Sequence, residues 1–172
     1  MKKSGGGKVV SHIRELVEPI ADAQELYLWD IEYVKEGATH ILRITIDKED
    51  GVTVDDCEKF HRAINPIIDE DDPIEESYVL EVTSPGVERE LKCEDHIVAC
   101  EGWDVEVKLY APIGGSKLYR GVLMGYNEEG THIAVKCDDA IHLFAVESIA
   151  GIRTTYDWDA DLASSADFEG PN

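Results

Sequence analysis

Tyr78-Val79-Leu80-Glu81-Val82-Thr83-Ser84-Pro85-Gly86-Val87-Glu88-Arg89-Glu90-Leu91 alternates apolar and polar residues over six positions, then breaks at a Ser-Pro-Gly corner and continues as a charged segment. Side chains on a strand point to opposite faces with period two, so Tyr78, Leu80 and Val82 are expected to face a core. Val79, Glu81 and Thr83 would face the other way. Proline pre-sets φ at the second position of a turn and glycine accepts a positive φ at the third, so Ser84-Pro85-Gly86-Val87 reads as a type II turn. A rigid corner at the end of a buried strand can aim the charged groups behind it at a partner. On residue types alone, a plain strand-ending turn accounts for it more simply.

Upstream, Val9, Ile13, Leu16, Val17 and Ile20 keep the i, i+3, i+4, i+7 spacing of one helical face. Pro19 removes a backbone donor, which predicts a kink or an early end near Glu18. Trp29, Ile31 and Tyr33 alternate with Asp30 and Glu32 as a half-buried strand. Lys35-Glu36-Gly37-Ala38 reads as a hairpin connection, and Leu42, Ile44 and Ile46 mark the returning strand, which ends at Asp47. Thr53-Val54-Asp55-Asp56 carries a hydroxyl cap followed by acids in the first turn, the pattern of a helix start. Val54, Cys57, His61, Ile64 and Ile68 form its stripe, widened by Phe60 and Ile67, with Pro66 expected to bend or shorten the last turn. Residues 8–90 thus read helix, strand, strand, helix, strand, a small α/β sandwich.

Downstream, the pattern changes. Lys92 to Trp103 is a short helical or irregular linker, with Ile97, Val98 and Cys100 expected at a core. Alternating runs follow at 105–109, 118–126, 133–137 and 140–146, and Ile149-Ala150-Gly151-Ile152-Arg153 closes with a tight turn into a last short strand. Short antiparallel strands with brief turns predict an all-β small barrel of the SH3 or Sm type, because closure removes exposed edges. The expected fold class is therefore α+β in two domains. Residues 1–7 are a flexible lead-in, 8–91 the α/β domain, 92–156 the barrel, and 157–172 an acidic, disordered tail.

The chain has 172 residues, 37 acidic against 16 basic, for a net charge of −21. The acids are spread along it: residues 1–92 hold 22, residues 93–156 hold 10 and residues 157–172 hold 5. That argues against a sequence-independent grip on nucleic acid, which needs Lys and Arg to displace phosphate counterions. It permits attraction to basic partners. No apolar run is long enough to span a membrane, and the lysines at the start have no apolar region behind them, so no secretory signal is expected. The four cysteines, Cys57, Cys93, Cys100 and Cys137, form no C-x-x-C pair; free thiols in a reducing cytoplasm are expected, although an even count leaves a disulfide pair open.

Asp47-Lys48-Glu49-Asp50-Gly51 invites a calcium loop, but its glycine falls at the fifth position where the sixth is needed, and no helix precedes it. A solvated turn is the better account. Gly114-Gly115-Ser116-Lys117 has the wrong order for a phosphate loop and precedes a strand. The six histidines show no metal spacing, and His61 is expected as a packed histidine. With no nucleophile, metal or cofactor motif, no residue supports an enzyme reading.

The compound pattern is similar to the ribosome maturation factor RimP family. Leu80 to Leu91 resembles its signature, preceded in order by Leu26-Tyr27-Leu28-Trp29-Asp30-Ile31-Glu32-Tyr33, Ile46-Asp47 and Gly51-Val52-Thr53-Val54-Asp55-Asp56-Cys57. The resemblance spans about residues 8–155. Glu90 stands where the family often has proline after the arginine. The resemblance implies an SH3-like second domain and a non-catalytic, cytoplasmic, monomeric assembly factor without cofactor, metal or membrane association. Such a factor binds the immature small (30S) ribosomal subunit and promotes its maturation. The implied partner is the twelfth small-subunit protein, a basic protein on ribosomal RNA, with RNA met indirectly. Partner contacts are expected at Asp47, Asp56, Glu81, Ser84, Pro85, Gly86 and Arg89, with an internal ion pair of Arg89 to Glu81 or Glu88 as the alternative. The competing reading is a stand-alone Sm-like RNA-binding regulator, using Lys108, Lys117, Arg120 and Lys136 with Tyr110, Tyr119 or Tyr126.

Overall fold

A computed structural model describes residues 7–156. The expected lead-in, apart from Gly7, and the expected acidic tail lie outside the described residues. The chain divides into two compact units between Gly86 and Val87.

The first unit runs α1 (Gly7–Ala23), β1 (Tyr27–Glu36), β2 (Thr39–Asp47), α2 (Val54–Asp71) and β3 (Tyr78–Thr83). Gly37 and Ala38 form a two-residue hairpin, with Gly37 at φ 62°, so β1 and β2 pair antiparallel with Glu36 opposite Thr39. The chain crosses over through α2, and β3 therefore lies parallel to β2, with Leu42 opposite Leu80. Both helices contribute to one core: Ile13, Val17 and Ala21 from α1 and Phe60, Ile64 and Ile68 from α2 pack with Ile31, Leu42, Ile44 and Ile46. Tyr78, Leu80 and Val82 pack against it, as the alternation requires.

Four local expectations change. Neither proline ends its helix: α1 runs past Pro19 to Ala23 and α2 past Pro66 to Asp71. Each lost backbone bond is offset by burial farther on, at Ala21 and Ile68, and full burial of an isoleucine side chain is worth about 1.5–3 kcal/mol. Trp29 falls at a bulge, where the register shifts between Leu28 and Asp30, so Leu28 takes the inward place. Val54 is 76% exposed because it stands at the first helical position, and Phe60 holds the centre of the stripe in its stead. His61 is half-buried.

The second unit runs α3 (Glu94–Ala99), β4 (Asp104–Ile113), β5 (Ser116–Tyr126), β6 (His132–Cys137), β7 (Ala140–Ala145), a 3-10 turn (Val146–Ser148) and β8 (Ile149–Thr154). The five strands form one sheet in the order β7-β6-β5-β4-β8. Val105, Val107, Leu109, Leu123, Ile133, Val135, Phe144, Ile149 and Ile152 are buried. The six-residue α3 packs against β5. Ile97 and Cys100 are buried, but Val98 faces outward, being on the other side of that single helical turn.

The expected closed barrel is not found. Strands β7 and β8 stand at opposite edges of the sheet, and no pairing joins them among the described residues. The outer edge of β8 is instead occupied by the segment after the Ser-Pro-Gly corner. Glu90 bridges Arg153, the Leu91 N–H donates to the Ile152 carbonyl at 2.9 Å, and the Thr154 N–H donates to the Arg89 carbonyl at 2.9 Å. All four cysteines are free thiols.

Candidate partner-binding face

Sheet register sorts the first unit's polar residues. The face away from the helices carries three rungs: Asp30–Thr45–Thr83, Glu32–Arg43–Glu81 and Val34–Ile41–Val79. Arg43 is the cation at the centre. Its Nε donates to Glu81 Oε1 at 3.0 Å and its Nη2 to Glu36 Oε1 at 3.1 Å, while Nη1 lies 3.9 Å from Glu32 Oε2. Hydrogen bonds donated to Glu81 and then Glu36 hold the guanidinium above its ordinary pKa, against a smaller opposing effect of burial. One arginine among three glutamates leaves the group two charges negative. Such a face attracts cations, and the exposed Val79 beside it adds apolar surface.

A second acidic feature lies on this unit, where β2 ends. A groove of about 430 Å³ is lined by Asp22, Glu25, Leu26, Tyr27, Lys48, Glu49 and Asp50. Tyr27 is 64% exposed. The Gly51 N–H donates to the Lys48 carbonyl at 3.0 Å, closing the solvated turn expected there. Lys48 Nζ reaches Asp56 Oδ1 at 3.5 Å, which partly neutralises the groove's one cation.

The expected contact residues separate into different settings. Glu81 stands on the face away from the helices, bound to Arg43. Asp47 ends β2 and accepts the Lys48 N–H through Oδ1 at 2.9 Å. Asp56 is committed to the α2 capping box: it accepts the Thr53 N–H and hydroxyl, each at 3.0 Å, while its own N–H donates to Thr53 Oγ1 at 3.2 Å. Those bonds, first from the Thr53 backbone, and the nearby Lys48 hold its carboxyl below the usual value. Ser84, Pro85 and Gly86 form the connection leading to the second unit, and Gly86 has the positive φ, 73°, that the turn reading requires. Arg89 belongs to the second unit, its guanidinium 5.2 Å from the centroid of the Trp103 ring.

Sequence reasoning missed Arg43, Glu32 and Glu36. The pairing of Glu32 with Arg43 was readable once a two-residue turn at Gly37–Ala38 is assumed, because that sets the antiparallel register. Placing Glu81 beside them needs the parallel pairing of β3, which no local pattern encodes.

Burial, and then the neighbouring Asp56 and Asp138 respectively, push the thiols of Cys57 and Cys137 above their ordinary pKa, which lowers their nucleophilicity. No group of three or more His, Cys, Asp or Glu among the described residues is placed to hold a metal ion. None of the described helices is long and apolar enough to cross a membrane.

The fold and this face together define a class: a two-unit α+β protein whose first unit presents carboxylates on a rigid sheet. Residues 16–88 match the RimP N-terminal domain, so the first unit carries a domain of the RimP family of ribosome maturation factors. Among solved structures, the chain is similar to one in "Crystal Structure of MjSpt4:Spt5 complex conformation A". The identity is 14%, the match covers 86% of this chain and 94% of that one, and the TM-score is 0.23.

Proposed function

We propose that this protein is a non-catalytic, cytoplasmic assembly factor that binds the immature small ribosomal subunit as a monomer and promotes its maturation. The observation that carries the reading is the RimP N-terminal domain over residues 16–88. The acidic face of the first sheet away from its helices supports it, since carboxylates there and a net charge of −21 steer association with a basic ribosomal protein. The twelfth small-subunit protein is the partner proposed, and Glu81, with Glu32 and Glu36 beside it, the centre of the contact. Asp47 by the acidic groove and the Ser84-Pro85-Gly86 connection are proposed as further contacts, and Arg89 as a contact on the second unit. Asp56 serves it by fixing the start of α2. The second unit is assigned as SH3-like on its strand order.

The test is co-sedimentation with immature small subunits, together with association kinetics on the purified twelfth protein. Glu36→Lys combined with Glu81→Gln keeps an acceptor for Arg43 while reversing charge on the face. It should slow association about tenfold at low salt, with less difference at high salt. Unchanged kinetics from a variant of normal melting temperature would remove the face from the interface. Absence of the wild-type protein from immature particles would overturn the assembly reading itself.

A further inference from the structure

The outer face of the second sheet carries the opposite charge to the molecule as a whole. Val105 and Val107 on β4, Leu123 on β5, Val135 on β6 and Phe144 on β7 are buried, so the positions that alternate with them point out. Register sets Arg153, Glu106 and Arg120 side by side across β8, β4 and β5. The next rung holds Asp104, Val122, Lys136 and Ile141, and Lys108 follows Glu106 outward along β4. Four cations thus share this face with two carboxylates, a formal +2 in a chain of net charge −21. Glu106 serves both arginines, at 2.7 Å from Arg120 and 3.4 Å from Arg153. Lys108 and Lys136 are exposed and pair with no carboxylate among the described residues. Leu118, opposite Lys108, and Ile141, opposite Lys136, are exposed as well, so each unpaired lysine has an apolar neighbour.

The chain leaves this sheet beside the same face. The Thr155 N–H donates to the Asp104 carbonyl at 2.8 Å. Lys136 lies two strand spacings from Asp104, about 10 Å, and Lys108 four residues along β4, about 14 Å. An extended residue spans about 3.3–3.6 Å, so roughly five residues beyond Tyr156 reach either lysine. The segment that starts there, residues 157–172, has five acids and no Lys or Arg. Trp158 and Leu162 stand among its first three acids, Asp157, Asp159 and Asp161. At its root, Glu88, Asp104 and Glu106 line a groove of about 500 Å³ with Arg120, Arg153 and Tyr156. Carboxylates entering there meet their own sign, which turns them toward Lys108 and Lys136.

We propose that the outer face of the second sheet is a docking surface for this chain's own residues 157–172, whose acids meet Lys108 and Lys136 while Trp158 and Leu162 meet Leu118 and Ile141. The segment matches the face in charge and in apolar content, and it is tethered within reach. Tethering gives it an effective concentration of about millimolar, which a separate partner has to overcome. The contact shields the cationic face, so an anionic polymer from outside must displace the segment before it binds there. The inference rests on charge and register in the second sheet and not on the ribosomal reading.

The test is zero-length carbodiimide cross-linking of the full chain, mixed with an equal amount of isotope-labelled chain and read by peptide mass spectrometry. Lys108 and Lys136 should join to acids of residues 157–172 within one copy. Yields should be about threefold lower at about 0.5 M than at about 0.02 M salt, because screening removes the attraction. Asp157→Asn, Asp159→Asn and Asp161→Asn together should raise affinity for labelled polyglutamate about fivefold, the release expected when a tethered competitor is weakened. Adding Lys108→Gln and Lys136→Gln should erase that gain. Absence of cross-links to Lys108 and Lys136, or equally abundant ones to Lys59 on α2, would overturn the inference. Cross-links mainly between labelled and unlabelled copies would overturn it too, since that outcome assigns the face to a second copy. So would a triple variant that binds polyglutamate no better than wild type, since the face is then already open.

Discussion

The Thr154 hydroxyl donates to the Val87 carbonyl oxygen at 2.8 Å and accepts the Arg89 N–H at 2.8 Å. Thr154 is fully buried at the end of β8, so one side chain satisfies two backbone groups of the segment that follows the Ser-Pro-Gly corner. This link makes residues 87–91 an edge of the second sheet. Thr154→Val keeps the shape and removes both bonds. The expected loss is about 2 kcal/mol, the cost of leaving buried backbone groups unpaired. Urea denaturation would measure it, and a loss under a few tenths would show that other groups satisfy the segment.

The Thr53–Asp56 capping box predicts a pH dependence. Asp56 has a folded pKa below its ordinary 3.8, so its contribution is fully present above that value and is lost as pH falls through the lower folded value. Asp56→Asn should therefore be less stable than wild type at neutral pH, with the gap closing below about pH 3.8. Thr53→Ala should cost about 1 kcal/mol at neutral pH. Melting temperatures of the three proteins across pH 2–7 check both statements; a gap of constant size would mean that the carboxylate's charge is immaterial.

Glu25 ends α1 in the left-handed conformation, at φ 57°. The Leu26 N–H donates to Ala21 and the Glu25 N–H to Asp22, the paired bonds of a Schellman ending, in which glycine is favoured at this position. Glu25→Gly should stabilise the protein by about 0.5 kcal/mol, relief of the left-handed strain exceeding glycine's extra chain entropy. A lower urea midpoint for the variant would show that the Glu25 side chain contributes more than its backbone costs.

Gly121 lies where β5 passes against β6, and a Cβ built there would overlap the Lys136 carbonyl oxygen. Because that neighbour is backbone, relief requires the strands to part. Gly121→Ala should cost about 3 kcal/mol, whereas the same change at Gly151, with nothing near it, should be close to neutral. Equal stabilities for the two variants would contradict the close approach of the strands.

Periodicity determined most elements of this protein, because side-chain direction on a helix or strand depends only on local backbone geometry. The Ile13–Val17 stripe, the Tyr78–Val82 alternation, the Thr53 cap and the positive φ at Gly86 were all legible in that way. Residue order in combination also pointed to the RimP family, whose N-terminal domain matches residues 16–88. That both helices continue past Pro19 and Pro66 was not legible, since the burial beyond each proline comes only from the assembled core. The tertiary structure alone brought Glu32, Glu36 and Glu81 around Arg43, because β3 reaches β2 through a crossover whose register has no local code. It also turned the charged run after Gly86 back onto β8. It likewise placed the Arg89 guanidinium over the Trp103 ring, far along the chain from it. Local pattern sets which way a side chain points, and long-range pairing decides what it meets.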